Sequence, residues 1–586
     1  MKFDSILSEI NGCGKFQIML ILIQSISRVT LPCHFLLNNF IAAVPSHHCD
    51  LSTLDHGKVF KNLTLDQKLT VSIPVQEDGT PSSCQMFAEP QYHLLSGFNS
   101  SGNKHTVQCQ NGWVYDNSMF KSTLAIEWDL VCSRKAMNRA TATIFFIGVM
   151  CGAPLFGFLS DRYGRRKILM VSYLSAMIFA IASSFSTSYV MFVTMRFFTG
   201  MTLAGISIIS IVLNVEWFGI KHRTFAGVIV SLDWTIGNWL LAGIGYFVNE
   251  WRMLILAVTS PLLLSIIAWW WLPESARWLL ANGKMDAAHF YIMKCAKMNN
   301  KSNCIAFITP EMLDLNGVEI ENRKYTFYDL VRTPNIRKLA ICSGIVWYGV
   351  AFTYYGISLN ISGFGLNPYL TQFVFASIEM PGKIGIYYLL NKVGRKPAQV
   401  GTLMLTGLCL LINIFVPKDK WTLRTIVAIL GKGLSEASFT IMFLFTTELY
   451  PTVVRQNGLG YTLFVARLGV SIAPLIILLE DMWHLLPALI FCIVATGSGL
   501  VASLLPETLN TCLPEFIDDI EKPRYRRNVL RIIQQSDLGG TDCALLRVEF
   551  HSSLSGALQH GPEFAVVLLL ALYIYEDIIH YGCDSL

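Results

Sequence analysis

Charged residues are scarce in this chain, at 15% of 586, against 53% in the apolar set of Ala, Val, Ile, Leu, Met, Phe, Trp, Tyr and Cys. That balance excludes a disordered segment, a collagen and an ordinary soluble enzyme. The sequence has no Gly-x-x-x-x-Gly-Lys-Ser/Thr phosphate loop, no His-Glu-x-x-His pair, no Gly-x-Ser-x-Gly elbow and no potassium-filter stretch. An ATP-driven pump, a zinc protease, a serine hydrolase and a potassium channel are thereby removed. No catalytic residue, cofactor or metal is expected. The net charge is +5, and the basic residues sit between apolar runs, so nucleic acid is not an expected partner.

What is present is hydrophobic length. About 20 apolar residues cross a bilayer as a helix. Twelve such runs are found, at about 16–44, 142–160, 168–188, 190–215, 225–248, 253–272, 338–358, 369–390, 398–416, 422–447, 458–479 and 484–505. Backbone groups in lipid need internal partners, so these are helices; the alternating ten-residue strands of a barrel are missing. A polar segment at 45–141 follows the first run, and another at 273–337 separates the sixth from the seventh. The expected organisation is a short N-terminus 1–15, a six-helix bundle 16–272, a linker 273–337, a second bundle 338–505 and a tail 506–586.

Lys and Arg in short loops set the orientation. Asp161-Arg162-Tyr163-Gly164-Arg165-Arg166-Lys167 follows span two, Lys221 and Arg223 follow span four, and Lys392, Arg395 and Lys396 follow span eight. Both termini and the linker are then cytoplasmic, and 45–141 is extracellular, with Lys418, Lys420 and Arg424 in loop 9–10 as the exception. Segment 45–141 holds Cys49, Cys84, Cys109 and Cys132, an even set expected to form two disulfides with three possible connectivities. It also holds two glycosylation sequons, at Asn62 and Asn99. In the tail, the twelve-residue apolar run Phe564–Tyr575 is too short to span and is expected at an interface. The final Cys583-Asp584-Ser585-Leu586 is a weak pointer to a scaffold protein.

The strongest motif runs from Gly157 through Asp161, Arg162, Gly164, Arg165 and Arg166, with a reduced copy around Gly394 and Arg395 after span eight. Such an internal repeat marks a secondary transporter. Gly157 is expected to let helix ends approach. Asp161 is expected to cap the next helix and hold the arginines across the seam between halves, as a latch that one conformation closes and the other breaks. Ionisable groups at mid-membrane depth are functional candidates. Arg467 in span eleven has no acidic neighbour within four residues. Its guanidinium fork matches a carboxylate. Lys383 has Glu379 four residues earlier, and Lys432 has Glu436 four residues later, so each pair is open to self-neutralisation along its own helix. Trp347, Tyr354, Tyr355, Phe439 and Phe443 are candidates for gripping a planar apolar body, with ordinary packing as the alternative. Asp233 in span five is the residue that fits least.

These stretches, with Ala43–Cys49, Pro273–Leu279 and Thr447–Gln456, resemble the major facilitator superfamily and, within it, solute carrier family 22. The resemblance covers about 1–522, and nothing familiar follows about residue 523. Its implied fold is an all-α membrane protein of 12 transmembrane helices in two six-helix bundles with the cavity between them. Asp78–Cys84 and Gly356–Gly365 are most similar to an organic anion subgroup. The resemblance implies a sodium-independent plasma-membrane carrier of small organic anions, working by exchange for a counter-anion or by facilitated diffusion. Lys383 and Arg467 stand where anion-handling members carry bases; cation-handling members carry an acid in span eleven. Tyr354 and Phe439, with Trp234 and His34, are implied to line the cavity. A cation or zwitterion carrier of the same fold, and a receptor or channel, are the alternatives. Membrane lipid is the remaining expected partner.

Overall fold

The computed structural model describes residues 6–521 apart from 8, 11, 53–59, 61, 76–79, 97–104, 219–222, 302–326, 360–366, 418–419, 452, 484, 510–513 and 515–516. Asn99, the run 564–575 and the C-terminal residues lie outside the described residues. The chain divides into two units, Met1–Glu515 and Phe516–Leu586; the described part of the second is one helical turn, Asp518–Glu521.

Nine helices among the described residues are long and apolar enough to cross a membrane. They are Lys15–Ile41 (span 1), Cys132–Tyr163 (span 2), Arg165–Ser184 (span 3), Tyr189–Trp217 (span 4), Trp251–Trp271 (span 6), Pro334–Ser358 (span 7), Arg395–Phe415 (span 9), Thr422–Leu449 (span 10) and Asn457–Glu480 (span 11). Arg223–Phe247 (span 5), Pro368–Val393 (span 8) and Leu486–Ala502 (span 12) occupy the three other expected positions. Large apolar side chains such as Phe158, Val190, Ile267 and Leu500 remain more than half exposed, while polar ones such as Gln24, Ser210 and Glu379 are buried. That inversion suits a lipid surround with a polar interior.

Spans 2, 3 and 4 pack together in the N-terminal half, and spans 7, 11 and 12 with 9 and 10 in the C-terminal half. Span 2 meets span 11 and span 5 meets span 8 across the middle. Span 1 is bent along its length. It is built from Lys15–Arg28, Thr30–Phe35 and Asn38–Ile41; at the first break Val29 keeps helical torsions (φ −61°, ψ −26°), and Pro32, which has no N–H for the Arg28 carbonyl, kinks the helix there rather than unwinding it. Span 5 lies against that break: Cys33 Sγ donates to the Gly237 carbonyl at 3.2 Å, and a Cβ at Gly237 would collide with Pro32 and the Val29 carbonyl.

The loop between spans 1 and 2 is a small stapled unit. His47–Cys49 pairs antiparallel with Trp113–Tyr115, and Gln85–Phe87 with Thr106–Gln108. The disulfides are Cys49–Cys109 and Cys84–Cys132, which selects one of the three connectivities. The compact trio His47, Cys84 and Cys132 is no metal site, because its two cysteines are bonded to each other as a disulfide. Asn62 is exposed, two residues before Thr64, which caps the helix Leu65–Ser72. At the other end of the bundle the linker contributes the helix Met285–Met298. These two ends are called the loop side and the linker side.

Candidate functional site

Two buried constellations follow from this packing, one midway along the spans and one on the linker side. In the middle, the four charges of spans 8 and 10 pair across helices. Lys383 Nζ lies 3.1 Å from Glu436, and Lys432 Nζ lies 3.2 Å from Glu379. Of the two pairings expected along single helices, Glu379–Lys383 survives only at 3.8 Å. The exchange follows from span 8 packing on span 10, which brings each ammonium to the other helix's carboxylate. Lys383 also donates to the Ser231 carbonyl at 2.9 Å and to Thr235 Oγ1 at 3.0 Å, so it bridges to span 5 in the other half. Lys432 donates to Ser358 Oγ at 2.6 Å and sits 3.2 Å from the centre of the Tyr354 ring.

Arg467 differs from these lysines. It contacts no carboxylate among the described residues. Its guanidinium lies 5.3 Å from the Phe35 ring centre and hydrogen-bonds to Tyr355. Tyr355 stands edge-on to Phe146 at 5.1 Å and to Tyr354 at 5.1 Å. Tyr354 donates to Glu379 at 2.9 Å and accepts from Trp234 Nε1 at 3.0 Å, a bond between halves. Phe439 lies 5.6 Å from Tyr354 and 5.4 Å from Trp347, and Phe443 lies 6.4 Å from Trp347. The structure thus gathers Arg467, Tyr355, Tyr354, Trp234, Phe439, Trp347 and Phe443 into one connected wall.

His34 is elsewhere. Its Nδ1 faces Arg196 Nη1 at 3.4 Å and its Nε2 faces Thr259 at 3.4 Å, inside the N-terminal half. An arginine only donates, so Nδ1 accepts and Nε2 carries the proton. Arg196 then lies over Phe145 at 4.4 Å. Asp233, the misfit carboxylate, lies 3.6 Å from Arg28 of span 1. Neither Arg28 nor Arg196 was singled out by sequence; each is a base at the depth that marked Arg467.

The linker-side constellation is a cradle built twice. Gly164 and Gly394 take φ of 104° and 101°, conformations that favour glycine. A Cβ at either would press on a carboxylate, 2.7 Å from Glu274 or 2.8 Å from Glu507. Glu274 accepts from the backbone N–H of Arg165 at 3.0 Å and of Arg166 at 3.1 Å. Glu507 accepts from the N–H of Arg395 at 3.0 Å and of Lys396 at 2.9 Å. The open N-termini of spans 3 and 9 are satisfied in this way. Arg165 then grips Glu216 at 3.0 Å, and Arg395 grips Glu448 at 3.0 Å.

Three expectations need correction here. Asp161 does hold Arg165, at 2.9 Å, but it does not cap span 3; Glu274 does, because the chain after span 6 returns beneath that terminus. The ionic partners of Arg165 and of Arg395 also lie in the same half as the arginine, so each cradle ties one half together rather than latching the seam. A Cβ at Gly157 would meet nothing within 4 Å, so no close approach explains that glycine. Arg162 lies over Tyr163 at 5.4 Å, and Arg166 reaches Tyr291 of the linker helix at 3.3 Å. The repeat of Pro273-Glu274-Ser275 in Pro506-Glu507-Thr508 was the available signal for the carboxylates.

The two cradles carry opposite pH signs. Burial pushes Glu274 above its ordinary value, against the Ser275, Arg166 and Arg165 N–H groups and the Arg165 charge. Burial also pushes Glu507 up, but the N–H groups of Leu509, Arg395, Lys396 and Thr508 together outweigh it, and it falls below its ordinary value. Glu507 therefore contributes stability above the unfolded carboxylate range, and this is lost as pH falls through its folded value. The Glu274 term is present at low pH and lost as pH rises through its folded value. Glu507→Gln is expected to cost of order 1 kcal/mol at neutral pH. Thermal melting from neutral pH into the acid range should show that cost shrinking, while the cost of Glu274→Gln grows.

Against known proteins, the family described as Major Facilitator Superfamily matches residues 123–474. Solute carrier family 22 member 7 of Homo sapiens is 44% identical over 533 residues, covering 89% of this chain and 96% of that protein. Solute carrier family 22 member 6 of Oryctolagus cuniculus is 36% identical, covering 89% and 95%. Among solved structures, the proton:xylose symporter XylE bound to 6-bromo-6-deoxy-D-glucose aligns over 86% of this chain and 98% of its own, with a TM-score of 0.54 at 15% identity. The inward-open xylose transporter from E. coli aligns with a TM-score of 0.53 at 14% identity, over 86% and 99%. These structures speak for the fold alone.

Proposed function

The chain belongs to the Major Facilitator Superfamily and, within it, to solute carrier family 22; from that premise we propose that it carries small organic anions across the plasma membrane by alternating access. The observation that carries this reading is Arg467, a base inside the bundle without a carboxylate partner among the described residues, set against a wall of aromatic rings. A carboxylate entering the cavity pairs with the guanidinium fork, and the rings of Tyr355, Phe439 and Trp347 take the apolar body. Lys383 is spent on Glu436 and on span 5, so in this conformation it ties the halves together rather than waiting for substrate. Its bonds to Ser231 and Thr235 are ones that a rocking motion must break. The cradles keep the linker-side ends of each half rigid, so that the halves move as bodies. Asp233 faces Arg28, which argues against its use as a cation-binding carboxylate.

The stapled, sequon-bearing loop belongs in an oxidising compartment. The loop side is then extracellular, with glycans at Asn62 and Asn99, and both termini are cytoplasmic. Lipid surrounds the spans; a scaffold protein at the C-terminus is the weakest of the expected partners. Uptake of a labelled planar monocarboxylate and of a labelled quaternary ammonium, measured side by side in cells expressing the full chain, tests the substrate class. Anion uptake several-fold above untransfected cells, with the cation at background, is the expected result. The reverse pattern would sink the anion reading.

A further inference from the structure

Asp233 is the carboxylate that an anion carrier has least reason to keep. It is 5% exposed, deep in span 5. Its Oδ2 lies 3.6 Å from Arg28 Nε, longer than a hydrogen bond, and has no hydrogen-bond partner among the described residues, although the carboxylate does take a side-chain hydrogen bond from Ser25. The surroundings are polar beyond need. Gln24, one turn before Arg28, is fully buried, and neither end of its amide finds a partner among the described residues. Asn214 of span 4 is 1% exposed and is left the same way at both ends of its amide.

These residues follow one another through the N-terminal half. Gln17 Nε2 donates to the Trp217 carbonyl at 3.3 Å, which sets the antiparallel register of spans 1 and 4. Two turns up span 1 and two turns back along span 4 put Gln24 at the height of Ser210, one turn above Asn214. Ser27 meets Tyr173 of span 3 at 3.0 Å just above it. Polar side chains therefore run through the N-terminal half from Asn214, near the linker side, up to Asp233. Buried amides with both ends open are met in proteins by bound water.

We infer that this polar layer is a water-filled access path and that Asp233 takes up one proton for each anion carried, which makes the protein a proton–anion symporter. The inference rests on the anion reading above. In the step itself, the Asp233 carboxylate accepts a proton from water on one face and becomes a neutral acid. The anion binds at Arg467, the halves rock, and the anion and the proton leave on the other face. The Asp233–Arg28 ion pair then re-forms. One negative and one positive charge cross together, so the cycle moves no net charge for a monoanion. The groups facing Asp233 are Arg28 and the Ser25 hydroxyl from span 1, with Tyr173 of span 3 behind Arg28. Lys383 of span 8 holds Ser231 and Thr235, which lie about half a helical turn round span 5 from Asp233. Glu379 and Glu436 stand behind Lys383, and Tyr354 is reached through Trp234.

The test uses the full chain in proteoliposomes with labelled benzenesulfonate, which stays ionised at working pH and does not cross lipid as a neutral acid. Counterflow at equal pH on both faces reads the anion carrier alone. An inward gradient of about two pH units can drive up to about 100-fold accumulation in one-to-one symport, tenfold per unit. The expected result is accumulation several-fold above the equal-pH level, with acidification of the lumen reported by a trapped pH dye. Both responses vanish in Asp233→Asn. Should that variant fail to fold once Arg28 loses its carboxylate neighbour, Arg28→Gln with Asp233→Asn removes both charges together and is expected to behave likewise. Normal counterflow in the wild type with no response to the gradient overturns the proton inference and leaves the anion reading standing. Absence of counterflow in every arm overturns the anion reading itself. Acidification that persists in Asp233→Asn but is lost in Glu379→Gln moves the proton to the span 8 carboxylate and overturns the assignment made here.

Discussion

Arg467→Asp is expected to abolish anion uptake while the chain still reaches the cell surface. The guanidinium stands inside the bundle against Phe35 and Tyr355 and contacts no carboxylate among the described residues. Its removal therefore orphans no buried acid, which is why folding should survive. The loss falls on the incoming anion. Truncating one side of a buried, hydrogen-bonded charge pair costs about 2–5 kcal/mol, which is about 30-fold to several thousand-fold in binding. Reversing the sign adds repulsion to that loss. Arg467→Lys keeps the charge but gives up the two-pronged fork, and should retain a fraction of the activity. The measurement is initial uptake normalised to surface-labelled protein. Uptake by Arg467→Asp within about tenfold of wild type would take Arg467 out of the site, since a paired anion cannot lose so little.

The positions of the spans were legible because length and apolarity decide what crosses a bilayer, and neither depends on neighbours. The duplicated Gly-Arg motifs were legible for the same reason: a positive φ and a helix start are local demands. Arg467 stood out as a base with no acidic neighbour within four residues. What stayed hidden is what only packing creates. Helical periodicity shows which residues share a face, not which other helix that face meets. Glu379 and Lys383 read as partners at a spacing of four, yet each finds a closer partner on span 10. Glu274 and Glu507 were visible as letters, but their task of accepting the first N–H groups of spans 3 and 9 depends on a chain return that no local pattern announces. Arg28 and Asp233 are distant in sequence and belong to different helices, so their meeting could not be read from spacing. The disulfide pairing likewise followed from which strands lie side by side, with Cys49 placed at the end of the strand that pairs with Trp113–Tyr115.

The second large effect comes from the four charges of spans 8 and 10. Lys432→Met is expected to destabilise the protein by about 3–5 kcal/mol, the cost of leaving a buried charge without its partner. Glu379 would then keep only Lys383, 3.8 Å away and already engaged by Glu436 at 3.1 Å. Two carboxylates would share one ammonium in a layer where side chains are almost wholly buried. Adding Glu379→Met removes the stranded acid, and replacing both members of a buried ion pair by apolar residues of similar volume is commonly near neutral. Most of the lost stability should therefore return in the double variant. A pairing along single helices makes the opposite claim: Lys432 would belong to Glu436, and the rescuing change would be Glu436→Met. Melting temperatures of the purified full chain, with Lys432→Met alone and combined with each acid change, separate the two schemes. Rescue by Glu436→Met but not by Glu379→Met would overturn the crossed arrangement. It would also free Lys383 from Glu436 and return it to the substrate site beside Arg467.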